Sequence, residues 1–263
     1  LTKDPEYIFK IRNLSIHLKV KDQEQSILSS LDWEWERGKV YALIGESGSG
    51  KTTFGHSLFG ILPGTSRLDY DEYSLLGRDW KAWSSLGWDH LRGKKVGLIP
   101  QNPHLAFHPY RKMGAQVSEF YKYTEKSMQS KDKIIKSWEE FGLRSPESAY
   151  NSFPRSLSGG EKQRICISMI HHSPAEIILA DEPTTALDPI QEKNIMEYLL
   201  RSVKENNKTL VLITHDLKLM LRLADEVMVI KSGKLVEKNT KVLSEFSDWK
   251  SDYAKELLSG INR

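Results

Sequence analysis

The 263-residue sequence predicts an α/β fold with a mainly parallel sheet, an N-terminal antiparallel β-subdomain and an inserted α-helical subdomain. Three observations lead there. Leu31, Trp33 and Trp35 alternate with Asp32, Glu34 and Glu36, the period-2 mark of a half-buried sheet. In the C-terminal third, short apolar strands alternate with helical runs, as parallel βαβ units do. Between these regions, from about Asp79 to Ser152, the pattern turns to longer, more polar helical candidates broken by Pro103, Pro109 and Pro146.

In chain order, residues 8–18 and 27–35 read as strands of an antiparallel edge sheet. Arg37-Gly38 turns the chain into residues 39–44, a short buried strand that runs into a glycine-rich loop and then a helix. Helices are expected over 113–123 and 131–141. They are followed by a helix from about 159 to 171, a strand 177–180, a helix 189–206, a strand 209–214, a helix 217–224 and a strand 226–230. This gives a single domain over 1–263: residues 1–78 and 175–263 form the core with its antiparallel β-subdomain, and about 79–174 form the helical subdomain.

Composition narrows the function classes. Seven Trp, ten Tyr and eight Phe argue for a packed core and against disorder. The lone Cys166 can form neither an intramolecular disulfide nor a thiolate metal cage, so a reducing compartment is expected. The net charge of +3 is spread along the chain and points to neither nucleic acid nor an anionic membrane surface. No stretch approaches the length of an apolar spanning helix, and the first twenty residues lack the apolar core of an export signal.

Gly45-Glu46-Ser47-Gly48-Ser49-Gly50-Lys51-Thr52 fits the phosphate-loop pattern G-x-x-x-x-G-K-[ST] between a strand and a helix. Its glycines let the backbone bend around phosphate oxygens while N–H groups and the helix N-terminus point positive charge at them. Lys51 would reach the β/γ-phosphates, the Thr52 hydroxyl would ligate Mg²⁺, and Thr53 completes the contact set. The apolar run 177–180 ends in Asp181 and Glu182, which places Asp181 near the metal and leaves Glu182 to polarise an attacking water. Leu157-Ser158-Gly159-Gly160-Glu161 opens a helix. It reads either as a second phosphate-binding N-terminus, completed by another subunit, or as an ordinary capping box with Ser158 as cap and Glu161 at the third position.

Taken in order, the phosphate loop, Leu-Ser-Gly-Gly, Asp181-Glu182 and His215 in Leu212-Ile213-Thr214-His215-Asp216 resemble an ABC-transporter ATP-binding subunit with a P-loop NTPase core. The chain is most similar to the peptide and nickel importer group (oligopeptide, dipeptide, nickel). The narrower match lies in GESGSGK at 45–51, GILP at 60–63, IPQNP at 99–103, ADEPTTALD at 180–188 and SDYAKELLSG at 251–260.

The resemblance implies an ATPase that energises import of peptides or metal chelates, with ATP and Mg²⁺ as ligands. Gln101 resembles the Q-loop glutamine at the metal or attacking water, Asp188 the D-loop aspartate, and His215 the switch histidine at the γ-phosphate. Ser158, Gly159, Gly160 and Glu161 would contact ATP held by a second subunit, a homodimer mate or a paralogue. Transmembrane permease subunits and, indirectly, a solute-binding protein are the implied partners, and nucleic acid is not among them. The implied location is the cytoplasmic face of the cell membrane.

Some features depart from the family pattern. His17 is the only ring in 16–25, where an aromatic usually stacks on adenine, so looser base selectivity is expected. Ser156 stands where an acid is typical. With no second cysteine, no iron–sulfur cluster is expected. Trp80, Trp83 and Trp88 are expected to pack onto the subdomain, and Arg92, Lys94 and Lys95 to form a solvated turn. Two other readings are a non-transport ABC-type ATPase of translation or DNA repair, and a nucleotide-dependent regulatory module. The first usually carries two cassettes or a long coiled coil, and the second would lack Glu182.

Overall fold

The alternation of Leu31, Trp33 and Trp35 becomes the inner face of a long hairpin. In the computed structural model, β1 (Phe9–Val20) and β2 (Gln23–Trp35) run antiparallel with Phe9 opposite Trp35, Ile11 opposite Trp33 and Leu14 opposite Leu31. The structure describes residues 7–20, 23–124, 128–184, 189–215, 217–240 and 249–259. The chain divides into two compact units, Leu1–Leu91 with Thr209–Arg263, and Arg92–Lys208.

In the first unit, β3 (Val40–Ile44) is followed by α1 (Lys51–Leu58), β4 (Arg67–Asp69), β5 (Glu72–Leu75), β6 (Arg78–Asp79) and α2 (Trp80–Leu86). The chain re-enters the unit at β9 (Thr209–Ile213), α8 (Leu217–Leu223), β10 (Glu226–Lys231), β11 (Lys234–Asn239) and α9 (Asp252–Ser259). Strand order is β6-β5-β1-β2-β11-β10-β3-β9, with β4 on β1. β3 pairs in parallel with both β9 and β10, and every residue of β3 and β9 is buried. Parallel strands covered on both faces read as continuous apolar runs, which is why VYALI and TLVLI show no alternation.

An aromatic cluster joins α1 to the antiparallel layer. Phe9 stacks on Trp35 with ring centroids 3.8 Å apart, and Phe54 of α1 meets Phe9, Trp33 and Trp35 at 6.1, 5.6 and 6.1 Å. Phe54 lies one turn after Lys51, so this contact fixes the helix that the phosphate loop opens. Trp83 donates from Nε1 to the Leu75 carbonyl and Trp80 to that of Ser57, both at 2.9 Å. The tryptophans thus pack against β5 and the end of α1 in the first unit, rather than onto the helical segment as expected.

In the second unit, β7 (Val96–Ile99) pairs in parallel with β8 (Ile177–Asp181). Its helices are α3 (Met113–Tyr123), α4 (Lys131–Glu140), α5 (Pro146–Asn151), α6 (Gly159–His172) and α7 (Pro189–Asn206). Met113, Val117 and Tyr121 of α3, Ile134 and Trp138 of α4, and Ile165 and Cys166 of α6 share one core. This unit differs from the helical segment expected at 79–174: it extends past residue 174 to take in β8 and α7, and it leaves α2 to the first unit. Lys94 and Lys95 are engaged: Lys95 pairs with Glu176 at 2.7 Å, and Lys94 lies 4.8 Å from the Tyr123 ring centroid.

Burial pushes the Cys166 thiol up to about 12, so almost no thiolate exists near neutral pH. Native protein is expected to resist a thiol reagent at pH 8 and to react fully once unfolded in urea. Rapid labelling of the native chain would contradict the buried position.

Candidate nucleotide-binding site

The phosphate loop leaves β3 at Gly45, whose φ of +153° and position only 2.1 Å from the Ile230 carbonyl oxygen, measured from an added Cβ, leave no room for a side chain. Gly50 closes the loop as the N-cap of α1 at φ 101°, where a Cβ would sit 2.5 Å from Leu28 Cδ2. Between them Glu46, Ser47 and Gly48 are exposed. Lys51 is buried at 7% exposure and its Nζ donates to the carbonyls of Gly45 and Glu46, each at 2.8 Å. Thr52 is exposed and Thr53 half-buried. No acid lies in the first turn of α1, so an anion here meets the Lys51 ammonium and the positive end of the helix without like-charge repulsion from that turn. These residues fit a nucleotide's phosphates.

His215 follows β9 and is exposed. Leu43 pairs with Ile213, and the Thr214 N–H donates to the Leu43 carbonyl at 3.4 Å, so the parallel register carries His215 toward the loop's first residue. His17 is engaged elsewhere, with Nε2 3.4 Å from Asp69 on β4.

In the second unit, Ile99 pairs with Ala180 and the same register leads Gln101 toward Glu182. Their side chains meet: Gln101 Nε2 donates to Glu182 Oε2 at 2.8 Å. Asp181 is buried at the end of β8, and Glu182 has a left-handed φ of 44°. That conformation is costly for a residue with a Cβ and is typical of functional sites. Among the described residues no three His, Cys, Asp or Glu side chains group as metal ligands. A divalent ion on these acids would therefore need ligands from elsewhere, and the hard carboxylate oxygens of Asp181 are of the kind that suits Mg²⁺.

The Ser158 segment forms the capping box. Ser158 Oγ accepts from the Glu161 N–H at 3.2 Å and Glu161 Oε2 accepts from the Ser158 N–H at 2.9 Å, so the Glu161 carboxylate is engaged within its own turn. At the other end of α6, buried Lys208 donates to the carbonyls of Ile170 and Ser173, both at 2.7 Å. Lys162, 2% exposed and with its pKa lowered by burial, meets His104 Nδ1 at 2.9 Å. This contact joins α6 to the loop that follows Gln101, and sequence reasoning had no signal for it. Asp188 lies outside the described residues.

A groove of about 420 Å³ also opens in this unit, lined by Phe107, Gln116, Phe120, Tyr123 and Met169 among others. Leu105 and Tyr110, on the loop leading to it, are 83% and 80% exposed.

A family model described as ABC transporter matches residues 28–185, more than half of the chain, and the chain belongs to this family. It is 35% identical over 266 aligned residues to the oligopeptide transport ATP-binding protein OppD of Lactococcus lactis subsp. lactis (strain IL1403), covering 97% of this chain and 76% of the relative. Identity to the dipeptide transport ATP-binding protein DppD of Haemophilus influenzae is 30%, with 97% and 77% covered. A dimeric ATP-binding cassette, MJ0796 bound to ADP and Pi, shares the fold at TM-score 0.74 and 23% identity, covering 90% of this chain and all of that one. The cbiO1 protein of Clostridium perfringens, part of the ABC transporter complex cbiONQ, matches at TM-score 0.63 and 26% identity over 89% of each chain. The protein is thus an ABC-transporter ATP-binding subunit with the expected α/β cassette fold.

Removing the cap should be felt. Ser158→Ala is expected to destabilise the protein by about 1 kcal/mol, read from the urea midpoint. A midpoint equal to that of the wild type would remove the capping box from the account of α6.

Proposed function

We propose that this chain binds Mg·ATP and hydrolyses it to energise a peptide-transporting ABC importer. The observation that carries the catalytic reading is the hydrogen bond from Gln101 to Glu182 at the ends of two paired parallel strands. Gln101 orients the Glu182 carboxylate, which would position a water and accept its proton as the water attacks the γ-phosphorus in line. Lys51 gives up the carbonyls of Gly45 and Glu46 for phosphate oxygens, and His215 holds the γ-phosphate. Thr52 and Asp181, with Gln101 near them, would hold Mg²⁺, which would supply charge neutralisation for the transferring phosphoryl group.

The N-terminus of α6, Ser158, Gly159 and Gly160, with Glu161 behind it, is assigned to ATP held by a second ATP-binding subunit, a homodimer mate or a paralogue. ATP would then join the two subunits and hydrolysis would release them, the differential affinity that coupled work requires. The Phe107–Phe120 groove is assigned to the transmembrane permease, because its loop continues directly from Gln101 and carries the exposed Leu105. No helix among the described residues is long and apolar enough to cross a membrane, in keeping with a peripheral place on the cytoplasmic face. A solute-binding protein would supply the peptide from the other side. The peptide class rests on the oligopeptide and dipeptide transport relatives, which align over nearly the whole chain. Those relatives also favour transport over a translation, DNA-repair or purely regulatory role.

Glu182→Gln is expected to reduce ATP turnover by at least about 100-fold while stabilising an ATP-bound dimer on size-exclusion chromatography; undiminished turnover would defeat the general-base role. Lys51→Ala should weaken ATP binding by about tenfold or more, given a charge-assisted contact worth roughly 1.5–3 kcal/mol. Calorimetry showing retained affinity would contradict the phosphate cradle.

A further inference from the structure

Helix α9 reaches the phosphate loop from the far end of the chain. Tyr253, 7% exposed, accepts a hydrogen bond through its hydroxyl oxygen from the Glu46 backbone N–H at 3.1 Å. The ring is itself held. Lys231 Nζ lies 4.2 Å from its centroid, and Trp249, Tyr253 and Ala254 pack with Ala42 and Ile44 of β3, with Met220 of α8 and with Ala224 just after it. Glu237 of β11 fixes the approach to the helix by accepting from the N–H groups of Lys250 and Ser251, both at 2.9 Å.

We propose that Tyr253 is a positioning residue for nucleotide binding: its hydroxyl pins the Glu46 peptide and with it the curve of loop 45–49. The proposal rests on the ATP reading above. The start of the loop is held by Lys51 on the Gly45 and Glu46 carbonyls, by Tyr253 on the Glu46 N–H and by the Ser49 N–H on the Glu46 carbonyl. Phosphate draws the Lys51 ammonium away and ends the first two. The Tyr253 bond needs no ammonium and persists, so the loop meets phosphate already shaped instead of paying for its order at that moment. The same helix packs on α8, which begins two residues after His215, so α9 braces both phosphate-facing segments of the first unit.

Tyr253→Phe keeps the ring, its packing and the Lys231 contact and removes only the hydroxyl. In the full chain, titration calorimetry is expected to show Kd for ATP and for ADP raised about three- to tenfold, the range of one neutral hydrogen bond. Binding stoichiometry should stay at the wild-type value and the melting temperature should fall by no more than about 4 °C, the cost of one neutral hydrogen bond, which a loss of folded protein would not allow. In the nucleotide-free chain, NMR should show faster exchange of the Glu46 amide. Unchanged affinity in a variant whose wild type binds ATP overturns the positioning role, as does an unchanged Glu46 exchange rate. A lower melting temperature with unaltered Kd also overturns it and assigns the hydroxyl to packing alone. A wild-type chain that binds no nucleotide would instead defeat the ATP reading itself.

Discussion

The five buried residues of β3, held in parallel register by β9 on one side and β10 on the other, set where the phosphate loop can begin. An interior strand with no polar face cannot slip along its neighbours without exposing apolar side chains or breaking buried backbone bonds. The loop inherits that rigidity. Gly45 is pressed against the Ile230 carbonyl at the edge of β10, and Phe54 locks the helix on the loop's other side into the aromatic layer of β1 and β2. Lys51, between these two anchors, has a defined place.

The second unit solves a different positioning problem. Glu182 stands at the end of a buried strand in a strained backbone conformation, and Gln101 arrives beside it because β7 runs parallel to β8 in matching register. Helix α6 is secured at both ends, by the Ser158–Glu161 capping box and by Lys208, and Lys162 ties it to the loop after Gln101 through His104. One loop therefore carries the residue bonded to the Glu182 carboxylate, a contact to the helix that opens on Ser-Gly-Gly, and part of the groove lining.

Much of this was legible from the chain alone where the signal is local. The helices 113–123 and 189–206 were expected at the bounds the structure has, because long apolar periodicity is a robust signal. The phosphate loop and the capping box are likewise written in consecutive residues. Strands β4, β5, β6 and β7 escaped notice because runs of two to four residues are too short to display a period. The placement of Trp80 and Trp83 went astray for a related reason: their partners, the Ser57 and Leu75 carbonyls, are backbone groups that side-chain patterning does not register.

By itself the sequence determined the chemistry: a Gly-rich loop with Lys51 and Thr52, a strand ending in Asp181 and Glu182, and a capped helix opening on Ser-Gly-Gly are each defined by neighbours in the chain. Tertiary structure alone decided which distant groups support them. The Gln101–Glu182 bond spans 81 positions and the Glu46–Tyr253 bond 207. A hydrogen bond needs a donor and an acceptor about 3 Å apart. Residue types and local spacing leave that separation open, and the packing of whole strands and helices closes it.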